Sequence, residues 1–319
     1  MLVSRWTLLR RPNATVLGMA AMITAMMLLP MGDTISKGLT AVLPPGQIAA
    51  FKAVVQAIAL GAVFLAMRKT ERGRVFTRWS CLSGLLAAIV SFALITAFAS
   101  MPIATAIAIF FVEPLALTLL AGVFLGERPG PRRYAAVAVG LCGVLLILRP
   151  NFAAFGLVVL YPLLAAVTYA LNMIVTRRAT QDCTALTFQC GASAFGAVIL
   201  CAAMAVQSVV APAVGTGASG VLAMPGWVIG GLIGSGLLTA AAFLLISLAF
   251  SFVQASVLAP FQYLEILGAT ALGYLVFAEV PDLLTLLGTL IILGSGLYIF
   301  HREQRADVPS DPIRARADH

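Results

Sequence analysis

Two glutamates lie inside long apolar stretches of this sequence, where a charged side chain is costly. Glu113 and Glu265 both have mainly apolar neighbours on either side, and a charge at the centre of a bilayer costs at least about 2.5 to 3.5 kcal/mol. Such side chains face a cavity, pair with another group or exchange a proton. Three functional roles are open: counter-charge for a cationic group, proton carrier, or acceptor for hydroxyl and amide donors. A purely structural pair of carboxyl groups is the alternative.

Further polar side chains are expected near these glutamates. Lys52, in another apolar stretch, could meet an anionic ligand group or simply neutralise Glu113. Asp33 and Lys37 are four residues apart, a spacing that allows an ion pair on one face of a helix. The candidate binding residues are completed by aromatic and amide side chains expected at a similar depth, namely Phe110, Phe111, Tyr169, Asn172, Gln262 and Tyr263.

Neither a metal site nor a catalytic site can be assembled from the sequence. The two histidines stand at positions 301 and 319, and the five cysteines include no CxxC pair. No nucleophile with an adjacent base is found, and no P-loop motif is present. The sequence therefore predicts a protein without cofactor or metal that is not an enzyme; a membrane-embedded transferase or hydrolase would need an acid, a base and a nucleophile near one interface.

The composition places these residues in a lipid bilayer. Of the 319 residues, 61% are hydrophobic and 10% are charged, whereas soluble domains carry about 25% charged residues. The formal net charge of +8 comes from short basic clusters between apolar runs, as the positive-inside rule predicts for membrane proteins. A continuous basic face with aromatic platforms is missing, which argues against nucleic-acid binding.

The apolar runs predict an all-α membrane protein with ten transmembrane helices. About 20 apolar residues are needed to cross a bilayer core of roughly 30 Å. Glu113 and Glu265 then lie about ten residues into the fourth and ninth helices, roughly 15 Å deep. Gly226, Gly230 and Gly234 are expected to let the eighth helix approach a neighbour closely. The predicted helices cover residues 14–38, 45–67, 80–99, 103–125, 134–149, 154–176, 184–207, 227–249, 255–277 and 283–300.

The chain repeats itself at a shift of about 152 residues. This shift superimposes Glu113 on Glu265, Glu127 on Glu279, and Pro129 on Pro281. With five helices in each copy, the second copy must enter the membrane in the opposite orientation, so the repeats are predicted to be inverted. The predicted organisation is an N-terminal segment (1–13), two five-helix repeats (14–150 and 151–300) and a tail (301–319).

The distribution of basic residues predicts the orientation. Most of the 20 Lys and Arg residues fall on the side of the membrane that carries the N-terminus, after the second, fourth and sixth helices and in the tail. Both termini are therefore expected in the cytoplasm of a bacterial cell, with the protein in the inner membrane. This orientation puts Glu127 in a cytoplasmic turn and Glu279 in an external one.

The sequence resembles the EamA type of the drug/metabolite transporter superfamily. The likeness covers the membrane domain and is carried by Glu113-Pro114, Leu125-Gly126-Glu127-Arg128, Gly140 with Gly143, Ala278-Glu279 and Gly288. It implies a central cavity lined by the first, third, fourth, sixth, eighth and ninth helices, with the fifth and tenth helices peripheral. The segments 33–37 and 131–134 also resemble the branch that contains carriers of S-adenosylmethionine, riboflavin and organic anions.

Together these patterns predict a secondary transporter that moves a small organic metabolite by alternating access. The expected partners are membrane lipids and a solute such as an amino acid, an organic anion, or a compound like S-adenosylmethionine or a flavin. A multidrug or lipophilic-cation exporter is the alternative, as is a non-transporting membrane protein such as a lipid scramblase. The sequence leaves the oligomeric state open, a homodimer included.

Overall fold

The computed structural model describes residues 12–67, 71, 73–124, 131–179, 183–210, 224–252, 258 and 261–306, and these residues contain helices and no strand. The predicted all-helical fold is thereby confirmed over the described ranges. A 3₁₀ helix, Gly156–Val159, links α6 to α7. The α-helices are α1 (Pro12–Leu39), α2 (Pro45–Met67), α3 (Arg78–Phe98), α4 (Ile103–Phe110), α5 (Glu113–Phe124), α6 (Pro131–Phe155), α7 (Leu160–Ala179), α8 (Ala185–Val210), α9 (Gly226–Phe252), α10 (Leu264–Phe277) and α11 (Leu283–Ala306).

Seven stretches of the described chain are long and apolar enough to cross a membrane. One of them runs from Tyr134 to Thr176, because α6 does not end at Pro150 as the sequence suggested but continues into the 3₁₀ helix. Asn151, directly after the proline, donates a hydrogen bond from its side-chain amide to the carbonyl of Ile147 at 2.7 Å. Apolar residues of α10 and α11 form two shorter candidates.

The predicted fourth helix is not continuous. It divides into α4, which ends at Phe110, and α5, which begins at Glu113. Pro114 causes the break, because it has no N–H to donate to the carbonyl of Phe110 and its ring crowds the preceding turn. The N–H of Val112 instead bonds to the carbonyl of Ile109, three residues back, at 3.1 Å.

A second break precedes α10. Tyr263 forms a turn immediately before the first residue of α10, Leu264. The predicted ninth helix, 255–277, is described only from residue 261 onward, apart from Leu258, and Pro260 lies outside the described residues. Ile266 occupies the position that corresponds to Pro114 at the 152-residue shift, so the two breaks do not share one proline position.

Helices from the two halves of the chain pack against each other. Helix α1 lies against α9 and α10, α2 against α8 and α9, and α3 against α7 and α8. Where α4 meets α10, Ile103, Ile107 and Ile109 pack with Ile266 and Ala269 in one buried cluster. This arrangement brings the two helix breaks into the interior of the bundle.

Glycines set how closely two of the helices approach. Helices α6 and α11 cross at Gly143 and Gly288, where a Cβ on Gly288 would lie 2.6 Å from the Gly143 carbonyl oxygen. The prediction for α9 is wrong at Gly226 and Gly230, where an added Cβ would have no described atom within 4 Å, and at Gly234 the added Cβ would make only an ordinary contact, 3.9 Å from Ile35 Cδ1. The close approach on this helix is made instead by Gly236, where an added Cβ would lie 3.0 Å from the Lys52 carbonyl oxygen in α2.

Candidate functional site

Each helix break places a glutamate at the start of the helix that follows. Glu113 is the first residue of α5, and Glu265 is the second residue of α10. A carboxylate in the first turn of a helix interacts favourably with the helix dipole. Both side chains are partly exposed, and within the described ranges neither forms an ion pair with a lysine or arginine. Two carboxyl groups are thus available to a ligand or to protons.

These glutamates belong to a larger group of titratable side chains. Glu113 and Glu265 lie near enough for their charges to interact, and both act on the phenol of Tyr169 in α7. Asp33 of α1 acts in turn on Glu265. Helices α1, α5, α7 and α10 therefore contribute to one polar region. No three His, Cys, Asp or Glu side chains in the described part of the chain are placed to hold a metal ion.

Aromatic side chains connect the two breaks. The rings of Phe111 and Tyr263 lie 5.6 Å apart, at an interplanar angle of 38°. These two residues are themselves related by the 152-residue shift, so the breaks contact each other through corresponding positions. Phe110 and Tyr169 form a second pair, with centroids 5.6 Å apart and tilted by 56°. The predicted aromatic residues thus flank the glutamates.

Lys52 neutralises a carboxylate, but this carboxylate is Asp33 and not Glu113. Its Nζ donates to Asp33 Oδ1 at 3.2 Å and to Ser36 Oγ at 3.5 Å. Lys52 is buried, with 7% of the residue exposed, because Gly236 allows α9 to cover this part of α2. A buried ammonium needs a nearby counter-charge, and Asp33 on the neighbouring helix supplies it.

The predicted ion pair between Asp33 and Lys37 is wrong. Lys37 pairs with the carboxylate of Glu279 and donates to the carbonyl oxygen of Met101 at 2.8 Å. A pair four residues apart on a helix contributes only about 0.2 to 0.5 kcal/mol, so partners on other helices readily outcompete it. Glu127, which corresponds to Glu279 in the first half of the chain, lies outside the described residues.

The two predicted amide residues have different surroundings. Asn172 is buried and accepts a hydrogen bond from the Ser83 hydroxyl at 2.6 Å, which joins α7 to α3. Gln262 is partly exposed and directly precedes the turn at Tyr263. Gln262 is therefore placed beside the second break, whereas Asn172 is engaged in helix packing.

Sequence reasoning missed two groups of contacts in this region. The Ser36 hydroxyl near Lys52 was not predicted, since a serine in an apolar helix is common and carries no specific signal. The backbone groups of Met101 and Ile103, which bind Lys37 and Glu279, have no sequence signal at all. The recurrence of Glu279 at the shift of about 152 residues was the one available indication of its importance.

Known proteins with related sequences are transporters by name. The chain is 29% identical over 303 residues to a riboflavin transporter of Rhizobium johnstonii, which covers 93% of this chain and 95% of the relative. It is 31% identical to an S-adenosylmethionine uptake transporter of Rickettsia felis, but spans 65% of that protein. A pseudopaline exporter of Pseudomonas aeruginosa is 24% identical over 82% of this chain and 88% of its own length.

A structural relative and a family model cover almost the whole chain. A solved crystal structure matches 93% of this chain and 99% of its own with a TM-score of 0.58 at 17% identity, which supports the fold alone. The model of the EamA-like transporter family matches twice, over residues 16–149 and 156–300. This chain is therefore a multi-pass membrane protein that belongs to the EamA-like transporter family.

Proposed function

We propose that this protein is a secondary transporter that moves a small organic metabolite across the bacterial inner membrane by alternating access. The observation that carries the proposal is the pair of helix breaks, each followed by a glutamate and in contact through Phe111 and Tyr263. One break falls within each of the two stretches that match the family model.

Broken helices are unusual at membrane depth. At the first break Pro114 has no N–H to donate to the carbonyl of Phe110, and a backbone group that loses its helical partner is tolerated at this depth only inside protein or beside a water-filled cavity. Secondary transporters built from inverted repeats place their substrate sites at discontinuous helices near the membrane midplane. This comparison supports a ten-helix arrangement of two inverted five-helix repeats, with the site between them.

The side chains of the proposed site have different roles in binding the solute. Glu113 and Glu265 accept hydrogen bonds from the solute, balance a positive charge on it, or carry protons that couple transport to a gradient. The Asp33–Lys52 pair is neutral overall and offers both a donor and acceptors at the edge of this region. Aromatic rings provide flat surfaces for stacking, and Phe110 and Tyr263 are the most direct candidates.

The named relatives narrow the choice of solutes for a first test. Riboflavin and S-adenosylmethionine, which appear in the names of two relatives, both contain a planar heteroaromatic ring that can stack on aromatic side chains. We propose a metabolite with such a ring as the substrate. The relatives include uptake transporters and an exporter, so the direction of net transport must be measured.

Counterflow in proteoliposomes tests this proposal. Vesicles loaded with unlabelled riboflavin or S-adenosylmethionine should transiently accumulate the labelled compound in a saturable manner. Glu113→Gln and Glu265→Gln should each lower the initial rate, by about tenfold if the carboxylate contacts the solute directly. Asp282→Asn is the matched control, because Asp282 is an exposed carboxylate outside the breaks. Normal counterflow in both glutamate variants would exclude these carboxylates from the site.

Assays on the same vesicles distinguish a metabolite transporter from a scramblase and from a lipophilic-cation exporter. A scramblase would equilibrate a fluorescent phospholipid between the two leaflets without producing solute counterflow. A lipophilic-cation exporter would exchange tetraphenylphosphonium and reject the metabolites. Right-side-out and inside-out vesicles with an imposed proton gradient then give the direction of transport and its coupling to protons.

A further inference from the structure

An ion pair at one end of the bundle joins three separate parts of the chain. The Lys37 ammonium, in the last turn of α1, pairs with the Glu279 carboxylate just after α10. The other carboxylate oxygen of Glu279 accepts the backbone N–H of Ile103, the first residue of α4, at 3.1 Å. Lys37 also donates to the Met101 carbonyl oxygen at 2.8 Å. One pair of side chains thus ties α1 to α10 and to the turn between α3 and α4.

The surroundings of this pair exclude much of the solvent. The side chain of Lys37 is 13% exposed and that of Glu279 is 19% exposed. Phe277 lies beside the ammonium, with its ring centroid 5.2 Å from Nζ, and Ile103 is fully buried. The contact is therefore enclosed, unlike an ion pair on an open surface, which contributes little.

The ion pair lies at one end of α4, and the first helix break lies at the other end. Helix α4 begins at Ile103, which Glu279 binds, and ends at Phe110, three residues before Glu113. Eight helical residues span about 12 Å. A separation of Glu279 from α4 would release the end of this short helix and the end of α1 together. Helix α1 contributes Asp33 to the region around Glu113 and Glu265, and α4 contributes Phe110, which packs on Tyr169.

The opposite end of the bundle has a related but more open contact. Arg178, near the end of α7, donates to the carbonyl oxygen of Phe124, the last residue of α5, at 2.7 Å. Here both residues are exposed. In each case a basic residue at the end of one helix reaches the end of a helix that begins with a site glutamate. The enclosed contact is the one made by Lys37.

From this contrast we propose that Lys37 and Glu279 form a latch that closes one mouth of the solute pathway and opens during transport. The proposal rests on the alternating-access function proposed above. The latch holds the structure closed at the Lys37 end. When it opens, both charged groups become hydrated, which offsets part of the energy of the lost pair. The closed and open states can therefore both be populated, as a transport cycle requires.

Cysteine accessibility measures the state of this latch without a known substrate. Thr105 lies in α4 two residues after Ile103 and is 2% exposed. Thr105→Cys is introduced into a variant from which every native cysteine except Cys190 has been removed. Cys190 is buried in α8, so its labelling would reveal a general loosening of the helix bundle. The protein in detergent is treated with a membrane-impermeant maleimide, and labelling at each position is followed by peptide mass spectrometry.

Glu279→Gln should raise the rate of labelling at position 105 at least about fivefold, because it removes the charge that strengthens the hydrogen bonds to Lys37 and to the Ile103 N–H. Lys37→Met should also raise the rate of labelling at position 105. It serves as the test variant if Glu279→Gln does not fold. Asp282→Asn removes a carboxylate from the same turn, where it caps α11 through the Thr285 N–H, and should leave the rate unchanged. Labelling of Cys190 should stay low in all variants.

Labelling at position 105 within twofold of the parent protein in both Glu279→Gln and Lys37→Met would overturn the latch. A parallel rise at Cys190 would also overturn it, since the variants would then loosen the whole bundle. The counterflow assay with riboflavin and S-adenosylmethionine gives an independent answer on function. Counterflow with unchanged labelling would reject the latch alone, whereas increased labelling without counterflow of either compound would support the latch and count against the proposed transport activity.

Discussion

At the scale of single residues, Ala278 has a backbone conformation that is rare outside glycine. It lies in the left-handed region, with φ 55° and ψ 30°, at the end of α10. There its N–H bonds to the Tyr274 carbonyl and the next N–H, of Glu279, bonds to the Gly273 carbonyl. The first half of the chain has Gly126 at the corresponding position. The strained alanine therefore directs Glu279 toward its partners.

Ala278→Gly should stabilise the protein. An L-residue in the left-handed region costs about 1 to 2 kcal/mol, and the added freedom of glycine in the unfolded chain offsets about 0.5 to 1 kcal/mol of the gain. We expect a net increase of about 0.5 to 1 kcal/mol in the free energy of unfolding, seen as a higher thermal midpoint in detergent. Ala271→Gly is the control, because this exposed residue is in the helical interior of α10; it should lower the midpoint. A lower midpoint for Ala278→Gly would contradict the argument.

The Asp33–Lys52 pair gives a second prediction at this scale. Lys52→Met leaves a largely buried carboxylate without its counter-charge, and we expect a loss of about 3 kcal/mol in stability. The double variant Asp33→Asn with Lys52→Met removes both charges and should recover at least half of that loss. Thermal unfolding of the single and double variants measures the coupling. Additive losses would show that the two side chains do not depend on each other.

The sequence alone identified the chemically important residue types but not all of their partners. Glu113, Glu265, Asp33 and Lys52 could be found because a charge in an apolar run is expensive and conspicuous. The partner of Lys37 could not be found, because Glu279 is 242 residues away in the chain. A local spacing rule favoured Asp33, and only tertiary packing decides between the two carboxylates.

At the scale of helices, the sequence shows a proline, Pro114, beside Glu113, but the division of the fourth helix into two segments was not predicted. Pro114 was visible, but a proline within an apolar run is compatible with a kink as well as with a full break. The structure shows a full break at this proline, and α10 packs against the segment α4 that precedes it. The close approach predicted at Gly226 and Gly230 is also absent. A series of glycines four residues apart does not tell which face of the helix has a neighbour.

Gly288→Ala tests the close crossing of α6 and α11. An added methyl group would lie 2.6 Å from the carbonyl oxygen of Gly143, a backbone atom that cannot move independently. We expect a loss of about 1 to 3 kcal/mol in stability from overpacking. Gly294→Ala is the matched control, because on the same helix an added Cβ there has no described neighbour within 4 Å. It should be neutral or slightly stabilising, and equal effects of the two changes would argue against the crossing.

At the scale of the whole molecule, composition and charge distribution predicted a membrane protein, and the family match confirms this assignment. Seven described stretches reach the length of a full span, against the ten that were predicted. The difference arises because α6 and α7 form one continuous stretch, Tyr134–Thr176, and because the apolar parts of α10 and α11 are shorter than a full span, whereas α4 and α5 together count as one.

The predicted orientation can be tested with fusions. Green fluorescent protein attached after His319 should fluoresce in cells, because it folds in the cytoplasm and the positive-inside rule places the tail there. Alkaline phosphatase fused within the predicted external loop, residues 208–226, should be active, since this enzyme needs export. An active phosphatase at the C-terminus would show that the orientation, or the number of spans, is wrong.

The two ion pairs also differ in when they can form during synthesis. Asp33 and Lys52 are 19 residues apart, on consecutive helices, so they can neutralise each other as soon as the first hairpin leaves the ribosome and enters the bilayer. Lys37 must wait for Glu279, 242 residues later, when α10 has been made. The early pair would thus assist insertion of the first helices, and the late pair would form only when the nearly complete bundle assembles.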